Sequence, residues 1–315
     1  MNCPICREQQ CHVIMQSYDD RYGYPGLFDL RRCPNCGHAF LGICLAPEQV
    51  VNLYTNYYPR RTFDLEKYSP HRESSKHRIW FNGLRSSAFR YVPKNVRVLD
   101  VGCGFGQTLG YHAARGCEVF GVEADENIRR VSEMFGFKVQ VGLFDASLYE
   151  PDFFDYVTMD QVIEHVNDPI ATLRGVSRIL KPGGTAILST PNAQGWGAKC
   201  FGRRWINWHA PYHVQFFSRL SLRDAARQAG LTLERIKTTT NSEWLYYQWI
   251  HLTLYPKPNE PSAFWSPVGQ TKTLFQSRIL RILALMHRVK INHLLTRFFD
   301  SIGLGDNYVC VLKKM

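Results

Sequence analysis

The sequence predicts an α/β protein: a mostly parallel sheet with helices on both faces, a small N-terminal metal-binding module and a helical insertion near the C-terminus. Three observations predict this. Strand and helix signals alternate between about residues 96 and 217, two tight cysteine pairs precede them, and a long helical pattern lies before a short β-prone tail. The 315 residues suggest about two domains. Hydrophobic residues at 45% and charged residues at 21% are ordinary globular usage and exclude general disorder. No apolar run approaches the ~18–20 residues that span a bilayer. The start, MNCPICREQQC, lacks the positive-then-apolar pattern of a secretory signal, so a cytoplasmic protein is expected.

The elements follow in order. Cys3-Pro-Ile-Cys6 and Cys33-Pro-Asn-Cys36-Gly37 are two knuckle turns, 26 residues apart, that can each present two thiolates to one tetrahedral Zn²⁺. Four sulfurs leave no open position, so this zinc is read as structural, and residues 1–45 as a zinc ribbon. Its loss is expected to unfold the ribbon and spare the central sheet. Residues 46–95 read as a linker, with Tyr54, Tyr57 and Tyr58, and a polar helical cap over about Ser69–Phe89. Strands are expected at Val96–Val101, Glu118–Glu123, Lys138–Val141, Asp155–Met159 and Thr185–Ser189, with helices at Gln107–Arg115, Glu126–Phe135 and Ile170–Leu180. A helix at Leu220–Ala229, ended by Gly230, and a strand at Thr232–Lys237 complete a core over 96–240. Residues 241–305 then form an insertion, with a helical pattern over 272–299, before a final strand within 306–315.

The most informative segment is Val98-Leu-Asp-Val-Gly-Cys-Gly-Phe-Gly106. An apolar strand ends in Asp100 and runs into Gly102, Gly104 and Gly106, where the backbone can turn sharply and lie flat against a ligand. Glu123 closes the next strand, 17 residues after Gly106, and can accept hydrogen bonds from ribose hydroxyls. Dinucleotide sites usually carry GxGxxG without an acid before it. An acid ahead of GxGxG suits a ligand with positive groups and no phosphate, and S-adenosylmethionine fits.

VLDVGCGFGQTL resembles the first motif of class I S-adenosylmethionine-dependent methyltransferases, FDYVTMDQVIEHVNDP their fourth-strand motif and LKPGGTAILSTPN their fifth-strand motif. The resemblance covers about residues 96–240, closest to the small-molecule branch that includes coenzyme Q O-methyltransferases. An N-terminal zinc ribbon resembles methyltransferases of sugar and surface-polysaccharide pathways. The resemblance implies a seven-stranded Rossmann-like sheet. It also implies that Gly102, Gly104 and Gly106 pack on the methionine part of the cofactor, Asp100 orders its amino group, Glu123 holds the ribose and Asp145 contacts adenine. The insertion departs from the family pattern and leaves the acceptor pocket outside what the resemblance describes.

Methyl transfer to a hydroxyl needs alignment and a proton acceptor. Asp160 and Gln161 follow the fourth strand and are expected to line the cofactor cleft, with Glu164 beside them as a positioning or metal-binding group. His165 is the first candidate base and His213, in the loop Trp205–Ser218, the second. Cys103 reads as filler in the glycine loop, and Arg203 and Arg204 as possible anion contacts.

The net charge of +11 is divided as +5 over residues 1–95, −4 over 96–200 and +10 over 201–315. Ribbon and charge together support an RNA methyltransferase as a rival reading, and a non-catalytic cofactor-binding module is a second. Met159-Asp-Gln-Val in place of [DN]PP[YF], and no cysteine near the fourth or fifth strand, weigh against nucleic acid. A small or carrier-linked acceptor is expected. The basic amphipathic pattern of 272–299 fits a lid, a homodimer contact or an anionic membrane surface.

Overall fold

In the computed structural model, which describes residues 1–43, 47–57, 68–266 and 272–315, two sheets share the chain. Cys44 and Tyr58 lie outside the described residues. The strands are β1 (His12–Ser17), β2 (Phe28–Arg32), β3 (Ala39–Leu41), β4 (Arg97–Val101), β5 (Glu118–Glu123), β6 (Lys138–Val141), β7 (Phe154–Asp160), β8 (Leu180–Pro191), β9 (Gln215–Phe216), β10 (Leu231–Thr239) and β11 (Asn307–Lys314). The helices are α1 (Pro47–Asn52), α2 (Lys76–Phe81), α3 (Gln107–Ala113), α4 (Ile128–Phe135), α5 (Pro169–Ile179), α6 (Trp196–Phe201), α7 (Arg219–Gln228), α8 (Ser242–Thr253), α9 (Leu274–Arg288) and α10 (Ile291–Ser301).

The main sheet has seven strands in the order β10-β11-β8-β7-β4-β5-β6. β11 enters antiparallel between β8 and β10, pairing Val311 with Ile187 and Cys310 with Ile236. The tail therefore returns to the sheet, as the sequence predicts. Side chains alternate across the pleat: Leu99, Val101, Leu188 and Cys310 enter the larger core, and Val98, Ile187 and Val309 pack with Ala88 and Val92 on the opposite face. Local signals set the helix starts. Asp168 accepts from the Ala171 amide at 2.9 Å with Pro169 behind it, and Ser218 makes a reciprocal cap with Ser221.

Two helical expectations are corrected. The helix expected over Ser69–Phe89 is only α2 followed by two short 3₁₀ turns. Gly83, at φ 68°, turns the chain so tightly onto Thr240 that a Cβ there would meet its carbonyl. The pattern over 272–299 is two helices, α9 and α10, separated by Lys290 in the left-handed region at φ 68°. Asn292 and Thr296 of α10 turn back to bond Ser242 at the start of α8, and that tertiary pairing outweighs helix propensity.

The second sheet, β1-β2-β3-β9, joins the cysteine region to the core, because its last strand comes from residues 215–216. Ser218 Oγ donates to the Cys36 carbonyl at 2.5 Å and Gln228 to that of Ile5 at 2.9 Å. Cys3, Ile5, Cys33, Cys36 and Phe40 belong to the same apolar cluster as the main sheet. This shared packing means that the cysteine region and the central sheet support each other.

Candidate active site

β4, β7, β8 and β10 run in the same direction, so the glycine loop, the turn after β7, the segment after β8 and the start of the insertion meet at one sheet edge. The loop after β4 takes positive φ at Gly102 (76°), Gly104 (56°) and Gly106 (74°). The three glycines have different reasons. A Cβ at Gly102 would stand 2.5 Å from Val162, and one at Gly106 would crowd Val131, whereas Gly104 faces open space. Glu123 spans the loop, its Oε2 accepting from the Gly104 amide at 2.8 Å and its Oε1 from Asp125 at 2.9 Å. An open glycine surface beside a carboxylate at the end of the second strand fits the methionine and ribose parts of S-adenosylmethionine.

Asp100 is buried, and its carboxylate accepts the hydroxyls of Thr158, at 2.6 Å, and Thr108. Burial holds its pKa up at about 6, and the carboxylate ties β4 to β7 and α3. Asp145 is exposed and caps the turn Ala146–Leu148 through Ser147, whose hydroxyl and amide hold its carboxyl below the usual range. Asp160 accepts from Ser189. Gln161 sits at φ 56°, unusual for a non-glycine residue, and donates to Ser189 Oγ at 3.0 Å. Cys103 packs with Leu109, Ile128 and Val131, matching its reading as filler. Arg204 stacks over Tyr255.

The two base candidates come together. His165 and His213 stack edge to face with ring centroids 4.6 Å apart. His165 Nδ1 lies 2.9 Å from the Tyr212 carbonyl and His213 Nδ1 2.9 Å from that of Asn207. A carbonyl cannot donate, so both Nδ1 atoms carry the proton and both Nε2 atoms keep a lone pair. Burial holds His165 down at about 4 and His213 well below its ordinary value, so both rings are neutral at pH 7. Burial pushes Glu164 up to about 8. One of its oxygens pairs with Thr190 at 3.0 Å, and the other, Oε1, is buried without a partner. The ligand atoms of Glu164, His165 and His213 lie within 4.8 Å of one another, a spacing that can hold a proton or a cation.

Sequence reasoning missed the N-terminal contribution. Arg21, in the connection between β1 and β2, is buried, donates to the Ile206 carbonyl at 2.6 Å and lies 4.3 Å over Trp265. Its charge helps hold His165, His209 and His213 neutral. Tyr22 packs against His209 and Tyr212. The aromatic run Trp244–Trp249 lies in α8, where Gln248 accepts from the Ile206 amide at 2.7 Å and donates to the Arg204 carbonyl at 2.8 Å.

At the second cluster, Cys3 and Cys36 Sγ lie 3.6 Å apart and Cys6 and Cys33 Sγ 3.4 Å apart, with all four within 4.8 Å. Sulfurs at ~2.3 Å from a tetrahedral zinc stand about 3.8 Å apart, so the set fits such an ion.

Comparison with known proteins agrees with the sheet edge. A family profile described as a methyltransferase domain matches residues 65–236, more than half of the chain. The chain belongs to this methyltransferase family. Within it, the chain is 31% identical over 168 residues to the ubiquinone biosynthesis O-methyltransferase of Xanthomonas axonopodis pv. citri, covering 49% of this chain and 70% of that protein. It is 37% identical over 112 residues to the enzyme of the same name from Xanthomonas campestris pv. campestris, covering 33% of this chain. The chain spans 47% of the length of that relative. Among solved structures, a SAM dependent methyltransferase from Archaeoglobus fulgidus is similar with a TM-score of 0.45 and 18% identity, over 76% of this chain and 95% of that one. The profile match makes the core of the chain the class I S-adenosylmethionine-dependent methyltransferase type that the motifs resemble.

Proposed function

We propose that this methyltransferase moves a methyl group from S-adenosylmethionine to a hydroxyl of a small or carrier-linked acceptor, of sugar, quinone-like or polyketide-like character, in the cytoplasm. The observation that carries the reading is the meeting of the glycine loop and Glu123 with the His165–His213 pair at one sheet edge. Bound S-adenosylmethionine supplies a methyl carbon already activated by its sulfonium. The chain's residues do the rest. The Gly104 backbone leaves room for the cofactor, Glu123 accepts from the ribose, and Asp160 and Gln161 form the wall at the end of β7. Asp100 holds the loop and Asp145 borders the adenine side. His165 Nε2 takes the acceptor proton as the oxygen–carbon bond forms and the carbon–sulfur bond breaks. His213 orients the acceptor hydroxyl, and the buried Glu164 carboxyl, which keeps its own proton at neutral pH, stands beside the pair.

Cys3, Cys6, Cys33 and Cys36 hold a structural Zn²⁺ that fixes the ribbon against the β9 segment and so sets the Arg21–Tyr22 wall of the acceptor side. The chain is incubated with methyl-labelled cofactor and fractionated extract. Label in a small organic or carrier-linked compound supports it, and label in RNA favours the rival. Tight cofactor binding without transfer to any fraction favours a non-catalytic module.

A further inference from the structure

Helix α10 is inside out. Its polar residues Asn292, His293 and Thr296 are buried, whereas Leu294, Leu295, Phe298 and, just beyond, Ile302 face solvent. The buried polar side is engaged: Asn292 donates to the Ser242 carbonyl at 2.8 Å and Thr296 shares a 2.9 Å hydrogen bond with Ser242. The outward apolar side is therefore what the fold presents, because turning it inward would break those bonds. α9 behaves alike. None of its residues is buried, and Phe275, Ile282, Leu285 and, just beyond its end, Val289 are exposed, Phe275 at 72%. Their spacing places them on one helix face with Arg278 among them and Arg281 and Arg288 along one edge.

Charge selects the occupant. Residues 272–299 hold no Asp or Glu, and Lys272, Arg278, Arg281, Arg288 and Lys290 carry their charge there, whereas Arg297 is paired inward. Asp300 follows at once, but it is committed to Thr239, Thr240 and Arg297. A second copy of so basic a face would bring like charges together. Neither helix crosses a bilayer: α9 has 15 residues, and no described helix is long and apolar enough. We propose that the α9–α10 face docks on an anionic lipid bilayer, with its apolar side chains in the headgroup–acyl boundary and its arginines on lipid phosphates. Because the insertion leaves the sheet at the C-terminal end of β10, and Asp300 of α10 bonds Thr239 and Thr240 there, the helix pair is anchored at the same edge as the candidate site. That the acceptor is carried by the lipid phase is a corollary that rests on the reading under Proposed function; the docking itself does not.

The test is flotation of the full chain with vesicles of phosphatidylcholine alone or with about one-third phosphatidylglycerol. Binding is expected to the anionic vesicles only and to weaken with salt. Changing Arg278, Arg281 and Arg288 together to Gln should weaken it about 100-fold, at roughly 1 kcal/mol per basic residue. Ile282→Asp with Phe298→Asp should abolish it. These positions are exposed, so cofactor affinity measured by calorimetry should not change in either variant. Absence of binding to anionic vesicles overturns the proposal. So does a dimer that the Asp variants separate, or RNA retention by the same arginines in place of vesicle binding. Flotation needs no turnover, so its failure is distinct from failure of the methyl-transfer reading.

Discussion

Replacing Glu123 by Ala removes the carboxylate that bridges the end of β5 and the glycine loop. In the folded chain it accepts two backbone amides, Gly104 at 2.8 Å and Asp125 at 2.9 Å. Water can reach this edge, so both amides find new partners when the carboxylate goes, and the loss of stability should stay near about 1 kcal/mol. The loss of ligand affinity should be larger. A hydrogen bond to a charged acceptor contributes about 1.5–3 kcal/mol, which corresponds to roughly a 10- to 150-fold weaker Kd. Calorimetry with S-adenosylmethionine and S-adenosylhomocysteine measures it, with thermal melting as the control for folding. Glu123→Gln keeps one acceptor oxygen and should fall between. A ligand lacking the ribose 2′-hydroxyl should bind more weakly than the full ligand to the native chain, but about equally to Glu123→Ala, because the partner of that hydroxyl is already gone. Unchanged affinity in Glu123→Ala, or an undiminished penalty for the missing hydroxyl in that variant, would refute the assignment.

Three further outcomes are expected. His165→Ala should lower turnover about 10²–10⁴-fold with little change in cofactor affinity, while His213→Ala should mainly raise the acceptor KM; near-normal turnover of the first across pH 6–9 removes it as the base. Elemental analysis should find one zinc per chain, and Cys33→Ser should lose it; since the cysteines share the main apolar cluster, chelation should lower the melting temperature of the whole chain, and a central sheet indifferent to the metal would contradict that coupling. His112 is buried with neither ring nitrogen partnered, and burial holds it down at about 4, against about 6.5 unfolded. The neutral ring's contribution is thus present above about pH 6.5 and lost as pH falls toward 4. His112→Leu should therefore flatten the acid side of a stability–pH curve by up to about 1.4 kcal/mol per pH unit, and an unchanged slope counts against the burial argument.

Most strands of the main sheet were legible because their apolar or alternating residues are bounded by turn residues, and the three methyltransferase motifs fall on β4, β7 and β8. The convergence of His165 and His213 was also legible, since both follow strands whose ends meet at one edge. What escaped was nonlocal. No local signal marks Lys290 as a break; it follows from the bonds of Asn292 and Thr296 to Ser242, about 50 residues earlier in the chain. Arg21 and Tyr22 reach the histidines across the second sheet, whose closing strand β9 is too short to stand out by pattern. The polar run Asp19-Asp20-Arg21 among tyrosines was the one available hint. Asp100 reads by motif as a ligand group, yet Thr108 and Thr158, residues that no pairwise pattern ties to it, take its carboxylate.

The central claim is that the glycine loop and Glu123 hold the methyl donor so that its reactive end faces the paired histidines. A crystal structure of the chain soaked with S-adenosylhomocysteine tests it most directly. The account predicts ribose hydroxyls on the Glu123 carboxylate, the ligand backbone against Gly104, and the sulfur directed toward the space before His165 and His213. A ligand bound elsewhere, or one whose sulfur is walled off from both histidines, would contradict it.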